Sequence, residues 1–358
     1  MSNQATLSWR HNKAMRRATF TLAVLLCAGF QIAASAAPPS SQRFIGSIDF
    51  FGLRNISEAA IRKHLPFTEG DSLLEKQQRP DSAAIAKAVG VAQITLAFIC
   101  CTPDQKVMVY VGVAEKPARQ AETPPLFTGA ARLPELMVQA DEEFGTEILE
   151  AISRGQARED HSEGHALGEY PPLRAVQQKF LDYARDHASL VSEVLATSSD
   201  TRHREVAAVI MGYAPDKRAA AAALARGVYD SSDGVRNNST RALGVIAEYS
   251  TAHPELRIHI DPEPFVEMLN SVVWTDLNKG LMVLTQLTTG REPNLMKFIG
   301  EHARLALIDM CRWKNQGHSF QACLVLRRLE DMPDFSGVDD RSEVLRKVGA
   351  GSTAPSSR

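Results

Sequence analysis

The spacing of apolar positions divides this chain: strand-like alternation appears in the stretch ending near residue 117, and helical spacing dominates after residue 133. Phe44 to Leu53 partly alternates and is rich in strand formers, and Gly52 closes it. Ser57 stands as an N-cap before Glu58–Leu65, with an acid in the first turn and bases near the end. Asp81 caps a second short helix carrying Ile85, Ala88 and Val89, which Gly90 ends. Gln93 to Cys101 and Lys106 to Val113 predict two strands joined as a hairpin through Thr102 to Gln105. Residues 43–117 therefore read strand, helix, helix, strand, strand.

Three prolines between Pro117 and Pro125 predict a linker over residues 118–132. Residues 133–188 form a helical capping segment, with Leu136, Val138, Phe144, Ile148 and Ile152 largely opposite Glu142, Glu143, Glu147 and Glu150. A polar, irregular stretch interrupts it between Gly155 and Pro172, and helix resumes through Val176, Phe180 and Tyr183. From 189 to 332 the helical spacing repeats. Ser198-Ser199-Asp200 leads through Arg204 to Gly212, and Ser231-Ser232-Asp233 leads through Arg236 to Gly244, a period of 32 residues. A fainter copy begins at Thr275-Asp276, with Lys279 in the arginine's place. Such periods predict stacked helix pairs, each burying its apolar face only against its neighbours: an α-solenoid. Later helices are expected over Phe265–Val273, Asn278–Leu287, Leu295–Trp313 and Ser319–Leu329, with Pro333 closing the last. The tail 349–358 is small and polar and is expected to be disordered.

The N-terminus reads differently from both regions. Arg10, Lys13, Arg16 and Arg17 precede an apolar run from Phe20 to Ile32, and Ala34-Ser35-Ala36 supplies a small-x-small site. This predicts a cleaved signal peptide over 1–36 and export. The alternative is an uncleaved anchor in a single-span envelope protein, with membrane contact only through this segment. Without it the chain carries 36 basic against 42 acidic side chains, a balance that argues against nucleic acid as partner.

Two stretches carry a family resemblance. Ile48-x-Phe50-x-Gly52-Leu53, Ser57-Glu58-x-x-Ile61-Arg62, Leu65-Pro66-Phe67, Glu69-Gly70-Asp71 and Val113-Ala114-Glu115 resemble a POTRA domain. The resemblance implies a periplasmic location and a β-α-α-β-β module that can offer its second strand, with Gln93, Thr95, Ala97 and Ile99, to an extended partner. Asp233-x-Val235-Arg236 followed by Arg241-Ala242-Leu243-Gly244 resembles HEAT repeats. That implies a ladder between neighbouring units, formed here by Asp200, Arg204, Asp233 and Arg236. The fold class expected is α+β, a POTRA-like domain over 43–117 followed by a HEAT-like solenoid.

Candidate chemistry is sparse. The sequence holds no Gly-x-Ser-x-Gly, phosphate-cradling loop or His-Glu-x-x-His, and neither a catalytic residue nor a cofactor is expected. His161, Glu163 and His165 raise a metal-dependent hydrolase as a third alternative, but the glycines around them disfavour the helix face on which paired ligands are best held. Cys100 and Cys101, adjacent on a strand, point to opposite faces and are not expected to pair. Cys311 and Cys323 lie near the facing ends of consecutive helices, so a bridge between them is geometrically open. Trp274 is a candidate anchor for a partner, or a packed core residue. These features together predict a non-enzymatic scaffold for protein or peptide partners.

Overall fold

A computed structural model describes residues 43–73, 80–100, 102, 104–116, 127–335 and 341–351. The expected signal peptide, Cys101 and residues 118–126 of the expected linker lie outside them, as do 352–358 of the tail. The chain is α+β: a small three-stranded sheet followed by a helical region. Among the described residues no helix is long and apolar enough to cross a membrane.

Strand β1 (Ile45–Phe51) is followed by helices α1 (Glu58–Arg62) and α2 (Ser82–Val89), then by strands β2 (Gln93–Ile99) and β3 (Val107–Ala114). Ser57 caps α1 and Asp81 caps α2, where Gly90 closes the helix in the left-handed region. In the sheet β3 lies centrally, parallel to β1 and antiparallel to β2. From Val107 to Val113 every β3 residue is buried. A strand apolar on both faces requires cover on both sides. Val109, Val111 and Val113 pack with Ile48, Ile61, Ile85 and Ile94 in a core beneath α1 and α2. Met108 and Tyr110 face the other way and join the core of the helical region.

That region runs α3 (Glu135–Ser153), a short hairpin of β4 (Glu159–Asp160) and β5 (Leu167–Gly168), α4 (Pro171–Asp186) and α5 (Ala188–Thr197). Then follow α6 (Thr201–Met211), α7 (Lys217–Gly227), α8 (Asp233–Ala252), α9 (Glu263–Met268) and α10 (Trp274–Leu287). Helices α11 (Pro293–His302), α12 (Arg304–Cys311), α13 (Gln316–Leu329) and α14 (Arg341–Gly351) complete it. Helices α6, α8, α10 and α13 stand in a row, each against the next, while α5 and α7 back α6 and α8, and α9 and α11 back α10 and α13.

Three expectations are corrected. Leu295–Trp313 is not one helix: α11 ends at His302 and α12 starts at Arg304, with Ala303 between them outside helical geometry. The end of the expected linker is not a free tether. Gly129 bridges in parallel to Ser198, the Leu133 N–H donates to His203 Nδ1 at 3.0 Å, and the Phe127 ring lies 3.9 Å from the Arg204 guanidinium carbon. The start of the expected disordered tail, residues 349–351, belongs to α14, whose Val344 and Val348 are buried. The open question over Cys311 and Cys323 is resolved as a disulfide across the α12–α13 turn, with Cα atoms 4.9 Å apart. Cys100 is also disulfide-bonded, and the expectation that it stays apart from Cys101 rests on a residue outside those described.

Candidate functional site

Two joints and one inserted hairpin set what this molecule can present. The first joint is between sheet and helices. Tyr110, fully buried, stacks on Trp274 (5.4 Å between ring centroids) and packs against Trp313 (4.8 Å) and His318 (5.5 Å). Its hydroxyl lies 2.6 Å from His318 Nδ1. Burial, with the Lys279 charge nearby, pulls His318 down to about 4, so the ring is neutral at neutral pH. Phe51 meets Trp313 edge-on. The Lys314 N–H donates to Asp49 Oδ1 at 3.1 Å, and the Lys314 ammonium reaches Glu69 at 3.0 Å. Asp309 accepts from the Gly52 N–H and pairs with Arg54 at 2.8 Å. Gly112 allows the close approach, since a Cβ there would collide with the Val272 carbonyl and the Thr95 hydroxyl.

This joint locates the residues expected to meet a partner. Thr95, Ala97 and Ile99 share the sheet face turned toward the helices: Thr95 donates to the Val272 carbonyl, and Ala97 and Ile99 pack against the helical core. Gln93, at the start of β2, is exposed. Trp274 is 9% exposed and belongs to the joint rather than to open surface. Strand β2 lies at the edge of the sheet, and among the described residues it pairs only with β3. The start of β1 is covered, through Ile45 N–H to the Asp71 carbonyl and Gly70 N–H to the Ile45 carbonyl.

The second joint is the ladder between helical units. Its arginines are those expected, and its acids are not. Arg204 grips Asp230 with two bonds (2.7 and 3.0 Å) while its third nitrogen donates to the Ser198 carbonyl; both ionic residues are 2% exposed. Arg236 repeats the pattern, gripping Asp276 at 2.9 Å twice and donating to the Asp230 carbonyl. Each arginine reaches forward to the next unit. Asp200 instead caps α6 through the His203 N–H, and Asp233 stands in the first turn of α8 behind its cap, Ser232. Arg204 and Arg236 both stand four residues after their helix caps, a place Leu277 takes in α10, so Lys279 is not a rung.

The hairpin β4–β5 lies over this row. Glu159 takes both oxygens to Arg241 (2.6 and 2.5 Å) and one to Gln177 (3.1 Å), whose own oxygen accepts from the Gly168 N–H. Burial pushes Glu159 up, but Arg241 and His161 outweigh it and hold the carboxyl at about 2. For His161, burial pulls the pKa down, and Glu159 and Glu248 (2.9 Å) more than reverse that, raising it to about 9. Lys279, beside this cluster, is drawn down to about 8 by burial and by Arg241. His161, Glu163 and His165 are not brought to one point: His161 engages Glu248, His165 faces Lys217 at 3.5 Å, and Glu163 is exposed at the tip. Among the described residues no group of three His, Cys, Asp or Glu side chains is placed to hold a metal. Glu159, Arg241, Tyr110, Trp313 and His318 escaped the sequence reading because the contacts that define them are remote in sequence: Glu159 to Arg241 spans 82 residues and Tyr110 to His318 spans 208. Set against protein-family models and against curated proteins, the sequence matches none.

Proposed function

We propose that this chain is an exported, periplasmic scaffold that holds polypeptide partners, with residues 43–117 as a POTRA-like module and 189–332 as a HEAT-like solenoid. The β1-β3-β2 order with two helices on one face supports the first likeness, and the forward-reaching Arg204 and Arg236 support the second. The observation that carries the function is the edge of β2. Among the described residues β2 is an edge strand that pairs with β3 alone, while Thr95, Ala97 and Ile99 pin it to the helices. An edge held this rigidly is pre-organised, so an incoming strand adds backbone hydrogen bonds at little ordering cost to the receptor.

A photo-crosslinking residue at Gln93, compared with one at exposed Lys63 on the other side of the module, identifies what approaches the edge in cells. A synthetic peptide of the crosslinked segment is then added to the purified protein. The expected result is slowed amide exchange across 93–99 with none gained in β3. A peptide that binds while leaving 93–99 unprotected would sink the proposal.

A further inference from the structure

Lys217 is the first residue of α7, and it is 8% exposed. Its stem runs beneath Gly164 at the hairpin tip, where a Cβ would sit 3.0 Å from the Lys217 Cε. Lys217 and His165 line a cleft of about 460 Å³ between the hairpin, α4 and the α6–α7 turn, walled by Tyr213 and Tyr249. Buried ammonium groups ordinarily sit against a carboxylate. Among the described residues none lies within salt-bridge distance of Lys217; its partner is His165 Nδ1 at 3.5 Å. The other charges around the cleft are Glu163 on the hairpin and Asp182 and Arg185 on α4, and those last two are paired with each other at 2.8 Å. The α7 N-terminus offers an anion little, because Asp216 already accepts from the Arg218 and Ala219 N–H groups. The site therefore suits a neutral amine better than an anion.

We propose that Lys217 is a reactive amine and that this cleft captures a small aldehyde as a reversible imine. The nitrogen lone pair attacks the carbonyl carbon and forms the C–N bond. His165 relays both amine protons to the carbonyl oxygen in turn: the first gives the carbinolamine, and the second lets the oxygen leave as water while C=N forms. No oxidant or further reactant is needed. Burial supports the chemistry by drawing the amine down to about 8, against which Glu163 pulls upward. Desolvated lysines are nucleophilic for this reason. The capture stands independently of the strand edge.

The test treats the full mature chain with benzaldehyde and borohydride at a series of pH values and maps benzylated lysines by mass spectrometry. Lys217 is expected to react about ten-fold or more faster at pH 8 than exposed Lys297, with a midpoint near its own pKa. Lys217→Arg removes the adduct. Because that change touches packing, Glu163→Gln at the exposed tip is the second arm: without the carboxylate the midpoint falls and labelling at pH 7 rises. Labelling of Lys217 no faster than Lys297, or a midpoint unmoved by Glu163→Gln, overturns the proposal.

Discussion

The two joints of this molecule solve the same problem by opposite means. The ladder buries full charges and satisfies them: Arg204 bonds to both oxygens of Asp230 and to the Ser198 carbonyl, and Asp230 also accepts from the Ser232 N–H. The sheet–helix joint buries rings and shape, and among the described residues Asp49 Oδ2, Trp274 Nε1 and Trp313 Nε1 find no hydrogen-bond partner. Orphaned polar atoms each cost free energy, whereas a satisfied pair costs mainly when one member is taken away. The ladder is thus sensitive to single deletions and specifies how one unit meets the next. The joint depends on area and fit, and it should be the place where the molecule opens first.

Breaking the ladder gives the largest effect. Arg204→Met strands the Asp230 carboxylate in a dry site and is expected to cost about 3–5 kcal/mol in urea unfolding. Adding Asp230→Asn removes the stranded charge yet keeps an oxygen for the Ser232 N–H, so it should recover a good part of the loss. Arg236→Met should cost less, because that guanidinium is 18% exposed and its surroundings can hydrate the remaining acid. A loss below about 1 kcal/mol for Arg204→Met would show that the pair contributes no specificity worth the name.

Overfilling the joint comes next. Gly112→Val sets a branched side chain against the Val272 carbonyl and should cost about 3 kcal/mol. Trp274 and Trp313 are the only tryptophans after residue 36, and both stand at this joint, so their emission should shift to the red before helical content falls. Emission and helicity lost together would mean that sheet and helices are one cooperative unit. The Cys311–Cys323 bridge closes a short loop, and replacing both cysteines by alanine should cost about 2–3 kcal/mol without moving the emission maximum.

What was legible in the sequence follows from how local each determinant is. Ser57, Asp81 and Gly90 act within their own turns, and each ends a helix where expected. The 32-residue punctuation marked Arg204 and Arg236 correctly, but their acids are chosen by which loop a side chain reaches in space, which no spacing encodes. Alternation placed Thr95, Ala97 and Ile99 on one face; that helices cover that face was not local information. One signal was present and missed. Val107 to Val113 has no charged residue on either face, and Tyr110 in its middle is too large to leave uncovered, so the strand itself called for cover on both sides. Nothing near Glu159 or His161 announces Arg241 or Glu248, and polar hairpins usually lie in water.

The smallest effect separates the joint from the hairpin by pH, because their histidines are displaced in opposite directions. His318 is held below its unfolded value, so the unfolded chain binds the proton more readily. Its contribution is intact above about pH 6.5 and is lost as pH falls toward 4. At pH 5 this amounts to about 2 kcal/mol. His161 is held above its unfolded value: its contribution is complete below about 6.5 and fades as pH rises toward 9. His318→Phe should therefore flatten the acid side of the stability profile, even though it also removes the hydrogen bond between Tyr110 and His318. His161→Gln should flatten the alkaline side and leave the tryptophan emission unchanged. Urea midpoints at pH 5, 7 and 9 measure both, and a profile in which either variant flattens the wrong side would show that the two sites are not electrostatically separate.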